Sequence, residues 1–156
     1  MTLVFTLRTA TPDDFDQLGL VMFRAIHEGP SPYTQAQRKA WLPRQNRGVD
    51  WAARLGAQKV VLGAKDGKPV GFMTLAGEGY VDFAYILPDA RGQGVFAALL
   101  AEIETRAIRD GVTQLWTHAS LMAQPAFARH GFAVNQHETI TRDGESLLRA
   151  KMSKPI

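Results

Sequence analysis

The stretch from residue 80 to residue 118 constrains the fold more than any other part of the chain. Tyr80 to Leu87 is a β-prone run ended by Pro88, and Arg91-Gly92-Gln93-Gly94 follows it. A helical period then runs over roughly 94–110, with Phe96, Leu99, Leu100, Ile103 and Ala107 on one face. Glu102 and Arg106 stand four apart on the other face, and Gly111 is a natural C-terminal stop. Residues 112–118 read as a strand again. A short turn cannot join parallel strands, but a helical crossover can, so this order predicts a parallel pair.

The flanking segments predict antiparallel pairs. Residues 59–64 and 70–75 are apolar and β-prone and flank Asp66-Gly67; strands over 132–141 and 146–152 flank Asp143-Gly144. Asp-Gly between two such runs is a hairpin signal. Residues 3–9 alternate as a first strand. Thr11-Pro12-Asp13-Asp14 then starts a helix, with a capping threonine, proline at the first position and acids facing the dipole. Phe15, Leu18, Met22 and Ile26 give its buried stripe, and Gly29-Pro30-Ser31-Pro32 ends it. Short helices are expected over 34–42 and 49–56, and another ends at His130-Gly131. The sheet is therefore mixed, and the class is α+β or α/β.

Bulk properties narrow the function classes. The 156 residues suit a single domain over 1–156, with no repeat and no linker rich in Gly, Ser or Pro. No cysteine is present, which excludes a thiolate nucleophile and any cysteine-based metal site. Neither a signal peptide nor a membrane span is expected, so a cytoplasmic protein is the default expectation. The net charge of +3 suits an anionic partner, but no basic run points to nucleic acid. His27 and His137 lack metal-ligand spacing, so no metal is expected.

The Arg91–Gly94 loop opens the strongest helix. A helix start leaves backbone N–H groups unpaired and adds positive potential, glycines let a ligand approach the backbone, and Arg91 adds charge and donors. These features suit a pyrophosphate. Gly67-Lys68-Pro69 lacks the hydroxyl of a Walker loop, and Val95-Phe96-Ala97 lacks the third glycine of a dinucleotide loop.

Context makes the loop specific. Ile86-Leu87-Pro88-Asp89-Ala90-Arg91-Gly92-Gln93-Gly94-Val95 is followed by Leu99-Leu100, Ala119-Ser120 and Phe127-Ala128-Arg129-His130-Gly131-Phe132, with Pro69-Val70-Gly71-Phe72 before it. This order resembles the GNAT N-acetyltransferase superfamily over about residues 60–152. The resemblance implies a mostly antiparallel central sheet with one splayed parallel pair, 80–87 and 112–118, and helices on both faces. It implies acetyl-CoA as cofactor and an amine on a small molecule or peptide as acceptor, by direct transfer in a ternary complex. The backbone of Ala84, Tyr85 and Ile86 would pair with the pantetheine arm. Gly92, Gln93, Gly94, Val95, Phe96 and Ala97 would cradle the pyrophosphate. A homodimer is a further expectation from the family.

Magnitudes require both parts of such a site. Micromolar binding needs roughly 8 kcal/mol. A helix dipole gives at most about 2 kcal/mol and a charge-assisted hydrogen bond about 1.5–3 kcal/mol. Ordering costs reduce the sum, so an arm added to a strand edge must supply the rest.

Two residues are candidates for accepting the amine's proton. His118 ends a strand, has a side chain suited to base chemistry near neutral pH, and by resemblance matches a site where some family members place a glutamate. Its alternative is packing beside Trp116. Asp82 lies inside an apolar strand, where burial without a partner would raise its pKa and make it a base; a hydrogen-bonded structural carboxylate is the alternative. Phe127 stands where the family commonly has a tyrosine that protonates the thiolate, leaving Tyr85, His130 or water. Phe96 stands where the family has Gly or Ala. Ser120 could cap the short helix, and Trp41 and Trp51 could line an acceptor pocket or pack the core. The rival reading, favoured by Phe127, is a catalytically silent acyl-CoA-binding module on the same fold.

Overall fold

The computed structural model describes residues 5–156. In chain order it has β1 (Thr6–Thr9), α1 (Phe15–His27), α2 (Gln35–Trp41), α3 (Val49–Gly56), β2 (Lys59–Lys65) and β3 (Lys68–Leu75). These are followed by β4 (Tyr80–Ile86), α4 (Val95–Arg109), β5 (Gln114–Ser120), α5 (Gln124–Arg129), β6 (Ala133–Arg142) and β7 (Glu145–Pro155). One seven-stranded sheet runs in the order β1-β2-β3-β4-β5-β7-β6. Every neighbouring pair is antiparallel except β4 and β5, which are parallel. The expected strand over 3–9 is β1 from Thr6; residues 3 and 4 lie outside the described residues.

Both hairpins turn as their sequences predict. Asp66 and Gly67 have φ of 52° and 79°, and Asp143 and Gly144 have 50° and 77°. Positive φ at both central residues matches the right-handed twist of the flanking strands.

Helices cover both faces. α4 and α5 lie on one, where Leu99, Leu100, Ile103, Leu115, Phe127 and Met152 form a buried cluster. α1 and α3 lie on the other, with Phe15, Leu18, Leu55, Leu62, Phe72 and Phe83. Each such side chain fully buried contributes roughly 1.5–3 kcal/mol. Val60 to Ala64 of β2 are buried without a break, because a strand covered on both faces has no solvent side to mark with polar residues. Among the described residues no helix is long and apolar enough to cross a membrane.

The sheet is irregular at its centre. β4 and β5 share only two registered pairs, Tyr80 with Trp116 and Val81 with Thr117. Thr117 Oγ1 donates to the Val81 carbonyl at 2.8 Å and holds that junction. Beyond it the register of β3 and β4 slips between Met73 and Leu75, so Asp82 and Phe83 together oppose Thr74. The Phe83 N–H donates to Thr74 Oγ1 at 3.0 Å. An extra residue bends a strand and sharpens its twist. The two parallel strands are joined at one end and part at the other. Thr74 and Thr117, whose hydroxyls bind the backbone at this irregularity, are both buried.

Candidate functional site

The parting of β4 and β5 opens a cavity of about 320 Å³. Its walls include Ala84, Tyr85 and Ile86 of β4, the loop glycines Gly92 and Gly94, and Val95, Phe96 and Ala97 at the start of α4. The strand edge and the glycine loop that the sequence marked out therefore meet in one space.

The loop is shaped for an anion. Gly92 and Gly94 have φ of 75° and 87°, and a Cβ added to either would meet nothing within 4 Å. Their backbone is left-handed and the space above it is open. The first helical bond runs from the Ala98 N–H to the Gly94 carbonyl, at 3.1 Å. The N–H groups of Val95, Phe96 and Ala97 therefore precede the helical ladder and face outward from the helix start. Gln93 steadies the loop by donating to the Asp89 carbonyl at 2.9 Å. A pyrophosphate fits this cradle.

Arg91 takes a different position from the one its sequence context suggests. Its side chain lies in the cavity wall but donates to the Ile86 carbonyl at 3.2 Å and the Ala25 carbonyl at 2.9 Å. Burial, with Arg38 nearby, lowers its pKa from the usual arginine value. It clasps α1 to the end of β4 and satisfies carbonyls on both elements. Arg129 of α5 also lines the cavity, is exposed, and has no ion-pair partner among the described residues. Its only signal in the sequence is a cation in the last turn of a short helix, which is too common to single out.

At the other end the cavity becomes aromatic. Tyr33, Trp41 and Tyr85 stand there with Ile26 and Ser31. Tyr33 and Trp41 stack with centroids 5.9 Å apart. The Tyr33 hydroxyl donates to the Leu148 carbonyl at 2.7 Å and accepts from the Leu121 N–H at 3.0 Å. It thus fixes the β5–α5 connection against β7. Trp51, by contrast, is a core residue: it is 4% exposed and its indole N–H donates to the Phe15 carbonyl. Of the two tryptophans weighed for an acceptor pocket, only Trp41 reaches the cavity. Ser120 caps the next turn, accepting from the Ala123 N–H at 3.2 Å, and also lines the cavity.

The two candidate bases lie on the α1–α3 face of the sheet and neither lines the cavity. Asp82 is not the unpartnered buried carboxylate its apolar strand suggested. Arg54 holds it with two hydrogen bonds, at 2.9 and 3.1 Å, and Gln58 donates at 2.7 Å. The strand pattern misled because its partners come from α3 and the turn after it. His118 Nδ1 lies 3.1 Å from Glu138 Oε1. A carboxylate only accepts, so Nδ1 carries the proton and Nε2 is left as the basic nitrogen of the neutral ring. Tyr80 stands beside His118, with ring centroids 5.8 Å apart, and burial and Asp82 raise its pKa.

The two departures at Phe127 and Phe96 prove to be one packing arrangement. Phe127 is 1% exposed, and the Phe96 ring meets it edge-on at 5.1 Å, with Phe132 at 4.9 Å. Phe96 also remains in the cavity wall, so it is shared between core and site. His130 lines the cavity with Nδ1 bound to the Ala126 carbonyl at 2.8 Å. Burial pushes the Tyr85 phenol up to about 12, and the neighbouring Trp41 indole partly offsets this. Its hydroxyl stays protonated at any ordinary pH. His27 bonds the Leu42 carbonyl and stacks on Phe23. Among the described residues no group of three or more His, Asp or Glu could hold a metal ion.

A central sheet opened between two parallel strands, with a glycine-rich helix start at the opening, defines an acetyltransferase-type fold. The chain belongs to the GNAT acetyltransferase family, whose domain model, "Acetyltransferase (GNAT) domain", matches residues 30–154. A GCN5-related N-acetyltransferase structure from Rhodopseudomonas palustris is 29% identical, with a TM-score of 0.91, and the match covers 100% of this chain and 98% of that one. A phosphinothricin acetyltransferase from Sinorhizobium meliloti, solved in complex with acetyl-CoA, is 22% identical with a TM-score of 0.70, over 100% and 89% of the two chains. An N-acetyltransferase from Thermoplasma acidophilum, solved in complex with coenzyme A, is 14% identical with a TM-score of 0.73, over 98% and 99%. The last two share the fold. No curated protein sequence matches this one.

Proposed function

We propose that this protein transfers the acetyl group of acetyl-CoA to an amine, on a small molecule or a peptide, by direct transfer in a ternary complex. The observation that carries this reading is the continuous cavity at the parted β4–β5 pair. It joins the glycine cradle at one end to the Tyr33–Trp41–Tyr85 chamber at the other.

Each end suits one partner. The N–H groups of Gly92 to Ala97 and the guanidinium of Arg129 would hold the pyrophosphate and phosphate of the cofactor. Ala84, Tyr85 and Ile86 lie beyond the last β4–β5 pair, at Val81 and Thr117, so their β5-facing backbone groups are free to add an extended arm. When bound, acetyl-CoA supplies the activated acyl group. The aromatic chamber excludes water and orients the acceptor.

Proton handling follows from the groups present. His118, oriented by Glu138, and Asp82, held by Arg54, are the candidates for receiving the acceptor's proton through water, since neither lines the cavity. Burial holds the Tyr85 phenol well above an ordinary thiol, at about 12, so it keeps its proton beside a departing thiolate. It therefore acts as a hydrogen-bond donor to the departing sulfur.

Calorimetry with acetyl-CoA and thiol release with an amine panel test the proposal together. Micromolar binding with turnover on at least one amine is expected. Binding without turnover on any amine would leave the silent acyl-CoA-binding module, the reading that the aromatic burial of Phe127 favours.

A further inference from the structure

One arginine of this protein has a buried donor that no protein acceptor meets. Arg8, Arg24, Arg38, Arg54, Arg91 and Arg106 all donate hydrogen bonds to protein acceptors. Arg149 of β7 is different. Its Nε is buried with no hydrogen-bond partner, and its nearest anion, Glu138, lies 3.7 Å from Nη2. The contact is an ion pair too long for a hydrogen bond, and the side chain makes no hydrogen bond among the described residues. It is 23% exposed. A guanidinium cannot shed its charge, so the buried Nε–H has lost its water without gaining a protein acceptor.

Its position in the sheet places that donor near the aromatic end of the cavity. Arg149 registers with Ser120 on β5 and with Glu138 on β6. Registered partners share a face of the sheet, so Arg149 lies on the face of Ser120, His118 and Trp116. Ser120 lines the cavity, and the Tyr33 hydroxyl is bonded to Leu148, the residue before Arg149. The guanidinium is also close enough to Tyr80 to bias its phenol. It does not line the cavity, but it stands on the neighbouring strand, opposite Ser120, which does.

The surroundings are short of negative charge. Among the described residues no acid lines the cavity, and Arg91 and Arg129 in its wall are cations. The carboxylates on the same face are engaged, Asp82 by Arg54, and Glu138 by His118 through one oxygen and by Arg149 through the other. Lys151, over the Trp116 ring at 5.0 Å, adds a further cation.

We infer that Arg149 anchors a carboxylate carried by the acceptor, so that the acceptor is an amino acid rather than a simple amine. This rests on the acetyl-transfer reading and adds the substrate class. A carboxylate matches the planar fork of a guanidinium and supplies acceptors to its unused donors. Held there, the acid places its amine toward the parting of β4 and β5. The C–N bond to the acetyl carbon forms as the C–S bond breaks, and the proton lost by the neutral amine ends on the thiol of CoA.

The test uses the twenty L-amino acids and their carboxamides as acceptors, with saturating acetyl-CoA, alongside tyramine and spermidine as amines without a carboxylate. The wild-type protein is expected to prefer the best acid over its amide by at least about 10-fold in kcat/KM. Arg149→Met should raise the KM of that acid by about 30-fold and collapse the acid-to-amide ratio toward one, with the Kd of acetyl-CoA within about twofold of wild type. Arg149→Lys should restore part of the ratio, which a purely structural role would not predict. Equal use of acid and amide by the wild-type protein, or an unchanged ratio in Arg149→Met, overturns the anchor. Turnover of tyramine or spermidine but of no amino acid overturns it too, while leaving acetyl transfer standing. No thiol release with any acceptor instead defeats the acetyl-transfer reading on which it rests.

Discussion

At the scale of single residues, neighbours decide function more than residue type does. Phe127 and Tyr85 are both aromatic and both close to the cavity, yet one is a wedge of core and the other a hydroxyl-bearing ring in the cavity wall. Tyr85→Phe is expected to lower kcat roughly 10-fold, a modest loss for one donor at a developing charge, with acetyl-CoA affinity unchanged by calorimetry. Restoring a tyrosine at Phe127 should do the opposite of what family resemblance suggests. A hydroxyl among Phe96 and Phe132 has no partner, so Phe127→Tyr should destabilise the protein by about 1–3 kcal/mol in urea titration and leave turnover no higher. A rise in turnover would show that the 127 side chain reaches the reacting atoms.

At the scale of elements, the helix start of α4 and the entry to α1 carry separate burdens. Gly94 has a φ of 87°, which no leucine adopts without strain, and it precedes the outward N–H groups. Gly94→Leu is expected to weaken acetyl-CoA at least about 10-fold in calorimetry; unchanged affinity would remove the loop from the cofactor site. At the entry to α1, Asp14 makes two hydrogen bonds of 2.7 Å with Arg8 of β1 and accepts one from the Thr11 N–H at 2.8 Å. The Arg8 hydrogen bonds, more than any other influence, hold its pKa down to about 2, against an ordinary 3.8. A carboxyl depressed in the folded state stabilises above its unfolded pKa, and that contribution fades as the pH falls from about 4 to 2. Asp14→Asn should therefore lower stability at neutral pH and flatten the urea midpoint across that acid window.

The elements were also where the sequence was most and least legible. Asp-Gly turns, the α4 stripe and the Gly29-Pro30 stop could be read because each depends on neighbours in sequence. The bulge at Asp82–Phe83 could not, since its cause is Thr74 on another strand. Asp82 looked like an isolated buried acid because Arg54 and Gln58 approach it only through folding. Trp41 and Trp51, alike in sequence, part ways for the same reason.

At the scale of the whole molecule, one sheet supports two helical layers and is weakest where they must admit a ligand between its strands. Binding that bridges β4, α4 and α5 stabilises the folded state by mass action. Acetyl-CoA at 100 times its Kd is expected to add about 2.7 kcal/mol, raising Tm by roughly 5–11 °C for a chain of this length. A scan with no shift at that concentration would contradict binding to the folded protein.

The sequence by itself determined the glycine-loop end of this cavity, the end proposed for the cofactor. A strand, a glycine-rich turn and an amphipathic helix are local facts, and a helix start with left-handed glycines offers its N–H groups wherever it lies. The tertiary structure alone decided the aromatic end and its surroundings, proposed for the acceptor. Tyr33, Tyr85, Ser120 and Arg149 come from distant segments, and what each can do depends on which hydrogen-bond partners folding gives it. The Tyr33 hydroxyl both donates and accepts, while Arg149 is left with its Nε unpartnered. No pattern along a chain encodes a missing partner, because the partner is a matter of packing.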